Sequence, residues 1–166
     1  MALVDGLLEE LEQEAETTRR VLDRVPHDKL NWRPHPKART MGELALHIAI
    51  VPGGVAELVA SGNKVQAPDL ADPSPQSASE LIPTLNESIS KAKRALSGLN
   101  DTELFETWRL MVGEKEVLAV PRIFMLRSVM LNHWYHHRGQ LSVYLRELDV
   151  PLPSIYGPSA DENPFS

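Results

Sequence analysis

His133 and His137 stand four residues apart within LNHWYHHRGQLSVYLREL, and a third histidine, His47, lies far from them in TMGELALHIA. An α-helix turns by about 100° per residue, so residues four apart share a face, roughly 40° from each other and one turn apart. Two imidazoles so placed can grip one ion. On a wheel with His133 at zero, Leu126, Met130, Leu141, Tyr144 and Leu148 fall between about +20° and +80°, and Val129 near −40°. Both histidines therefore sit within an apolar stripe that should turn inward. His136 falls near −60° on the same wheel, at the edge of the stripe. That position suits a proton shuttle, or a contact beside the ion or at an interface, better than a ligand. Arg138 lies on the outer side and is expected at the surface or in a dimer contact, although it or Gln140 could hold an anionic substrate group.

His47 has the same kind of setting, because Leu44, Ile48, Val51, Val55 and Leu58 recur around it at helical spacing. Placed opposite the other two in a bundle, it supplies a third neutral nitrogen. Three such ligands are a common arrangement for a catalytic divalent ion that keeps one position open for water or substrate. The competing reading is three ordinary buried histidines, each bonded to a neighbour. Three uncompensated imidazoles on inward stripes would be costly to desolvate, so a shared ion is the cheaper explanation.

Composition narrows the chemistry further. The chain has 166 residues, of which 42% are hydrophobic, a size that suits one domain spanning residues 1–166 with an adequate core. It has no cysteine, so disulfides, thiolate ligands and a cysteine nucleophile are excluded, and any thiol must come from a substrate or cofactor. A net charge of −6 and scattered basic residues near the histidine motif argue against nucleic acid as a partner. The acidic, amphipathic start MALVDGLLEELEQEAE lacks the marks of a secretion signal, and no apolar run approaches about 18 residues, so no membrane partner is expected. A cytoplasmic protein fits these features.

Four helical segments should position the histidines. The first runs from about Ala2 to Arg24 and stops at Pro26, with an acidic start and a basic end that complement the helix dipole. VPHDKLNWRPHPKART then reads as an irregular connection in which Trp32 plugs one end of the bundle and His27 and His35 are solvated. Thr40 and Glu43 form a capping box that starts the second helix near Met41; Glu43 could alternatively orient His47. Pro52, Gly53 and Gly54 should kink or interrupt that helix, which resumes from Val55 to Ala60.

Ser61 to Gln76 reads as a long crossing connection, and Ser77 or Ser79 caps a third helix that reaches about Leu99 and tolerates Pro83 near its start. In DTELFETWRLMVGEKEVLAVPR, Gly113 separates two apolar runs, either a short hairpin or an irregular excursion. The fourth helix runs from Arg122 to about Leu148 and ends before Pro151 and Pro153, leaving an extended tail that Tyr156 can anchor. No solenoid repeat is present. The expected fold class is all-α, a four-helix bundle with long connections.

NWRPHPKARTMGELALHIA, followed by LNHWYHHRGQLSVYLRELDVPLPSIYGPSADENP, resembles the DinB-like family of bacterial four-helix-bundle proteins. The HHRGQL segment with its preceding histidine is the specific part of the match. The resemblance implies a divalent metal, zinc or nickel, held by one histidine of the second helix and two of the last, which map onto His47, His133 and His137. It also implies a homodimer, and a relation to S-transferases and isomerases that use a low-molecular-weight thiol. The Pro52-Gly53-Gly54 segment departs from the family pattern of an unbroken helix.

The expectation from sequence is thus a metal-dependent transferase in which the ion activates a low-molecular-weight thiol, or water, against a small-molecule substrate. One alternative is a non-catalytic, metal-stabilised stress-response or binding protein. Another is a metal-dependent hydrolase, which shares the site and differs only in what attacks.

Overall fold

The first half of the chain is helical where its apolar residues recur every three or four positions. A computed structural model describes residues 2–69 and 73–165. Helix α1 spans Leu3–Leu22 and buries Leu7, Leu11, Ala15, Thr18 and Leu22 along one face. After a 3-10 turn at His27–Lys29, the chain runs irregularly to Thr40, and His27 and His35 are exposed as expected. Helix α2, Met41–Ala60, begins at the expected capping box. The Thr40 hydroxyl accepts from the Glu43 amide at 3.1 Å, and the Glu43 carboxylate accepts from the Thr40 amide at 2.7 Å. Two of the amides that a helix start leaves without partners are thereby satisfied.

Strand β1 covers Lys64–Gln66, and helix α3, Leu81–Leu96, follows a 3-10 turn, Ala78–Glu80, that Ser77 caps. The connection between them includes residues 70–72, which lie outside the described residues. Helix α4, Asp101–Phe105, leads into strands β2, Thr107–Val112, and β3, Lys115–Pro121. The last helical stretch has three parts: α5, Arg122–Met125; a π-helical segment, Leu126–Asn132; and α6, His133–Glu147. Helix α2 packs against α3 and α6, and α1 against the same two. Leu11, Met41, Leu44, Ile48, Leu85, Leu96, Leu126 and Trp134 fill the shared core.

Three expectations need correction. The fold is mostly helical but not all-α, because β1, β2 and β3 form a three-stranded sheet. The β2–β3 hairpin is antiparallel, turns at Gly113 with φ +59°, and buries Trp108 and Met111. Strand β1 lies parallel to β2; with only three residues among turn formers, it has no readable alternation and exists by pairing.

Secondly, α2 passes through Pro52 without a break. A proline lacks the N–H that should reach the carbonyl four residues back, which here belongs to Ile48. The indole Nε1 of Trp134 donates to that carbonyl at 2.9 Å. On the other side, the Ser88 hydroxyl accepts from the Gly53 amide at 2.8 Å and donates to the Ile50 carbonyl at 3.2 Å. Gly53 is required there, since a Cβ would stand 2.7 Å from the Ser88 carbonyl oxygen.

The third correction concerns apolar length. Helix α2 has a mean hydropathy of 1.5 and is long and apolar enough to cross a membrane by composition, but 56% of that stretch is buried inside the protein. Its apolar surface is used against α3 and α6.

Candidate metal centre

Helix α2 brings His47, and α6 brings His133 and His137, to one place. The ring centroids are 5.2 Å apart for His47 and His133, 4.7 Å for His47 and His137, and 4.4 Å for His133 and His137. One nitrogen from each ring lies within 4.8 Å of the others, so this group could hold a metal ion. His137 is buried and the other two are half-buried. Two nitrogens bound to one tetrahedral zinc at about 2.0–2.1 Å stand roughly 3.4 Å apart, a separation within the range found here.

The polarity of one ring is already set. His137 Nδ1 lies 2.9 Å from Gln140 Oε1, and an amide oxygen can only accept, so Nδ1 carries the proton. The Nε2 lone pair is left facing Nε2 of His133 at 2.9 Å. This is the tautomer a metal requires, with the outer nitrogen held by a polar partner. Desolvation is the main influence holding both His133 and His137 below the ordinary histidine range. The Val129 backbone opposes it at His133, and Gln140 opposes it at His137. Arg39 and His136 add positive charge that works with burial on both rings. Neutral imidazoles, ready to coordinate, are the result.

His136 is exposed, with its ring centroid 5.0 Å from that of His137 and outside the three-histidine group. Glu43 spends a carboxylate oxygen on the capping bond. Trp32, half-buried, meets Tyr144 edge-on at 5.6 Å, and the Tyr144 hydroxyl donates to the Arg39 carbonyl at 3.3 Å. The irregular connection is thus fastened to Tyr144, toward the C-terminal end of α6.

Arg138 contradicts the sequence expectation, being only 1% exposed. Its guanidinium lies 2.6 Å from the Glu14 carboxylate, donates to the Thr18 hydroxyl at 3.1 Å, and also bonds the Tyr156 hydroxyl. The wheel put Arg138 about 140° from His133 correctly. What it could not show is that α1 covers that face and that the tail closes over it. Gln140, expected as an anchor for substrate, is instead engaged with His137.

Of two side chains that shape the site, sequence reading gave Gln140 a different role and missed Trp134. Gln140 carried a signal, since it lies three residues after His137, on the next turn of the same face. Trp134 carried a weaker one: the Pro52 rule leaves the Ile48 carbonyl short of a donor, but nothing in sequence names the residue that supplies it.

The model of the DinB family matches residues 2–163. The chain is 25% identical over 161 residues to the uncharacterized protein YrdA of Bacillus subtilis (strain 168), which covers 96% of this chain and 91% of that protein. Among solved structures, a DinB-like protein from Bacillus cereus ATCC 10987 superposes with a TM-score of 0.73 at 24% identity, covering 92% of this chain and 97% of the other. One from Exiguobacterium sibiricum 255-15, described as a member of the DinB family, gives 0.66 at 21% identity, covering 93% and 97%. These structural likenesses establish the fold.

Proposed function

Because the chain belongs to the DinB family, whose model spans residues 2–163, we propose that it holds one divalent ion, zinc or nickel, on His47, His133 and His137. We read its activity as that of a transferase that activates a low-molecular-weight thiol, or water, against a small-molecule substrate. The observation that carries this reading is the convergence of three ring nitrogens within 4.8 Å from two separate helices. The group has three members among the described residues, and none is a carboxylate. Three neutral ligands suit an ion with an open position, whereas a fourth protein ligand would suit a structural site. An ion held there supplies a Lewis acid that lowers the pKa of a bound thiol or water.

The chain's own residues have separable parts in this scheme. His137 keeps its Nε2 lone pair directed inward because its Nδ1–H donates to Gln140 Oε1. His136, exposed and 5.0 Å from His137 between ring centroids, is assigned the movement of a proton between the site and solvent. With no cysteine in the chain, the thiol is supplied from outside. We read the four long helical stretches as a four-helix bundle within one domain over residues 1–166, acting in the cytoplasm as a homodimer.

The test is a screen of the metal-loaded protein with low-molecular-weight thiols and electrophilic acceptors, following loss of free thiol. Metal-dependent thiol consumption supports the transferase reading. Ester cleavage without thiol consumption selects the hydrolase instead, and no turnover with either selects a non-catalytic metal-stabilised protein.

A further inference from the structure

The hydrogen bond that compensates Pro52 joins two residues that are each next to a candidate ligand. Ile48 follows His47 in α2, and Trp134 follows His133 in α6. Ile48 and Trp134 are both fully buried, and their bond of 2.9 Å crosses from one helix to the other beside the three imidazoles. An indole offers one N–H in a fixed direction on a rigid ring, so the bond sets both the height and the rotation of one helix against the other. A backbone carbonyl inside a helix is normally taken by the amide four residues on. The Ile48 carbonyl faces Pro52 instead.

The next turn of α2 is pinned from the opposite side. Ser88 of α3 bonds both the Gly53 amide and the Ile50 carbonyl, and the lack of a Cβ at Gly53 lets the two backbones close. Helix α2 is therefore held between α3 and α6 at the level where His47 must meet its partners.

Resting on the metal reading above, we propose that Trp134 is a positioning residue for the metal centre. Its N–H, locked on the carbonyl that Pro52 leaves without a donor, sets His47 in register with His133 and His137. The proline and the tryptophan form one device. A proline in α2 demands a donor from outside the helix, and the donor it receives comes from the helix that carries the other two histidines.

The test uses the full chain loaded with cobalt(II), whose visible absorption reports ligand geometry. W134F keeps an apolar ring and removes the donor. Cobalt binding is expected to weaken roughly tenfold, with an altered spectrum, as for the loss of other groups that orient metal ligands. P52A returns an amide to position 52 and satisfies the Ile48 carbonyl within α2 without restoring the tie to α6, so P52A/W134F is expected to stay weakened, with an altered spectrum. Wild-type cobalt binding and spectrum in W134F, even with a lower Tm, would overturn the proposal by showing a packing role alone. If W134F does not fold by itself, the double variant decides: weakened binding supports the proposal, and wild-type binding overturns it by showing that only an unsatisfied carbonyl was at stake. A wild-type chain that takes up no cobalt overturns the metal reading and this proposal together, whereas normal wild-type binding with no response to W134F overturns this proposal only.

Discussion

Nδ1 of His137 lies 2.9 Å from the side-chain oxygen of Gln140, one turn further along α6. One turn beyond Gln140, the Tyr144 hydroxyl donates to the Arg39 carbonyl at 3.3 Å. A ring that belongs to the candidate metal centre is therefore held by a side chain of its own helix. Its orientation is fixed by the folded protein before any ion arrives.

Gln140→Leu should remove that orientation at nearly constant shape. Metal affinity is expected to fall about 10- to 100-fold, the usual cost of losing a group that orients a metal-bound histidine. Gln140→Glu, which keeps an acceptor at the same place, should lose far less. Competition titration against a coloured chelator measures both, and equal affinity in the leucine variant would show that the bond is incidental.

The depressed pKa values of His133 and His137 make the metal-free protein sensitive to mild acid. In the unfolded chain these histidines take up a proton near the ordinary histidine value of 6.5, while in the folded protein burial keeps them neutral to lower pH. Below that value the unfolded state binds more protons, so stability present at neutral pH is lost as pH falls toward the folded-state values. The lowered carboxyls of Asp161 and Glu106 add their own loss only below their usual 3.8 and 4.5, a separate window. Urea midpoints of the metal-free protein should decline between about pH 7 and 5, and H137Q should flatten that decline.

Arg138→Met should be the most destabilising single change near the site. It leaves the Glu14 carboxylate, itself only 15% exposed, without its guanidinium. Loss of one partner from a buried pair costs about 3–5 kcal/mol, and the remaining exposure of Glu14 places the expectation toward the lower figure. The same arginine lies 5.1 Å from the Tyr156 ring centroid, so the tail should also loosen. Urea denaturation and limited proteolysis near Tyr156 check the two effects separately.

Much of this arrangement is written in the spacing of particular residues. Thr40 and Glu43 mark the start of α2 because a capping box is local chemistry between neighbours. His47, His133 and His137 are legible because helical period alone puts them on inward faces. Arg138 is not, because burial on that side of α6 depends on α1 and on the tail, both distant in sequence. The π-helical segment Leu126–Asn132 is equally hidden, since helix type there follows from packing and not from composition. Strand β1 belongs with them: its register is given by Arg109 and Met111 of β2, not by its own three residues.

Metal removal should leave the fold intact. The core formed by α1, α2, α3 and α6 is continuous without any ion. Linkage adds about 2.7 kcal/mol when free metal stands at a hundred times its Kd, so chelation should lower Tm by a moderate amount. Retained helical circular dichroism with a reduced Tm is the expected outcome. An unfolded metal-free chain would point to a structural ion.

The most direct test is the metal content of purified variants, measured by elemental analysis. Wild type and H136A should carry about one ion per chain, while H47A, H133A and H137A should each fall toward zero, because three ligands are shared by one ion. Equal metal content in all five proteins, or a loss in H136A as large as in the other three variants, would contradict the three-histidine assignment.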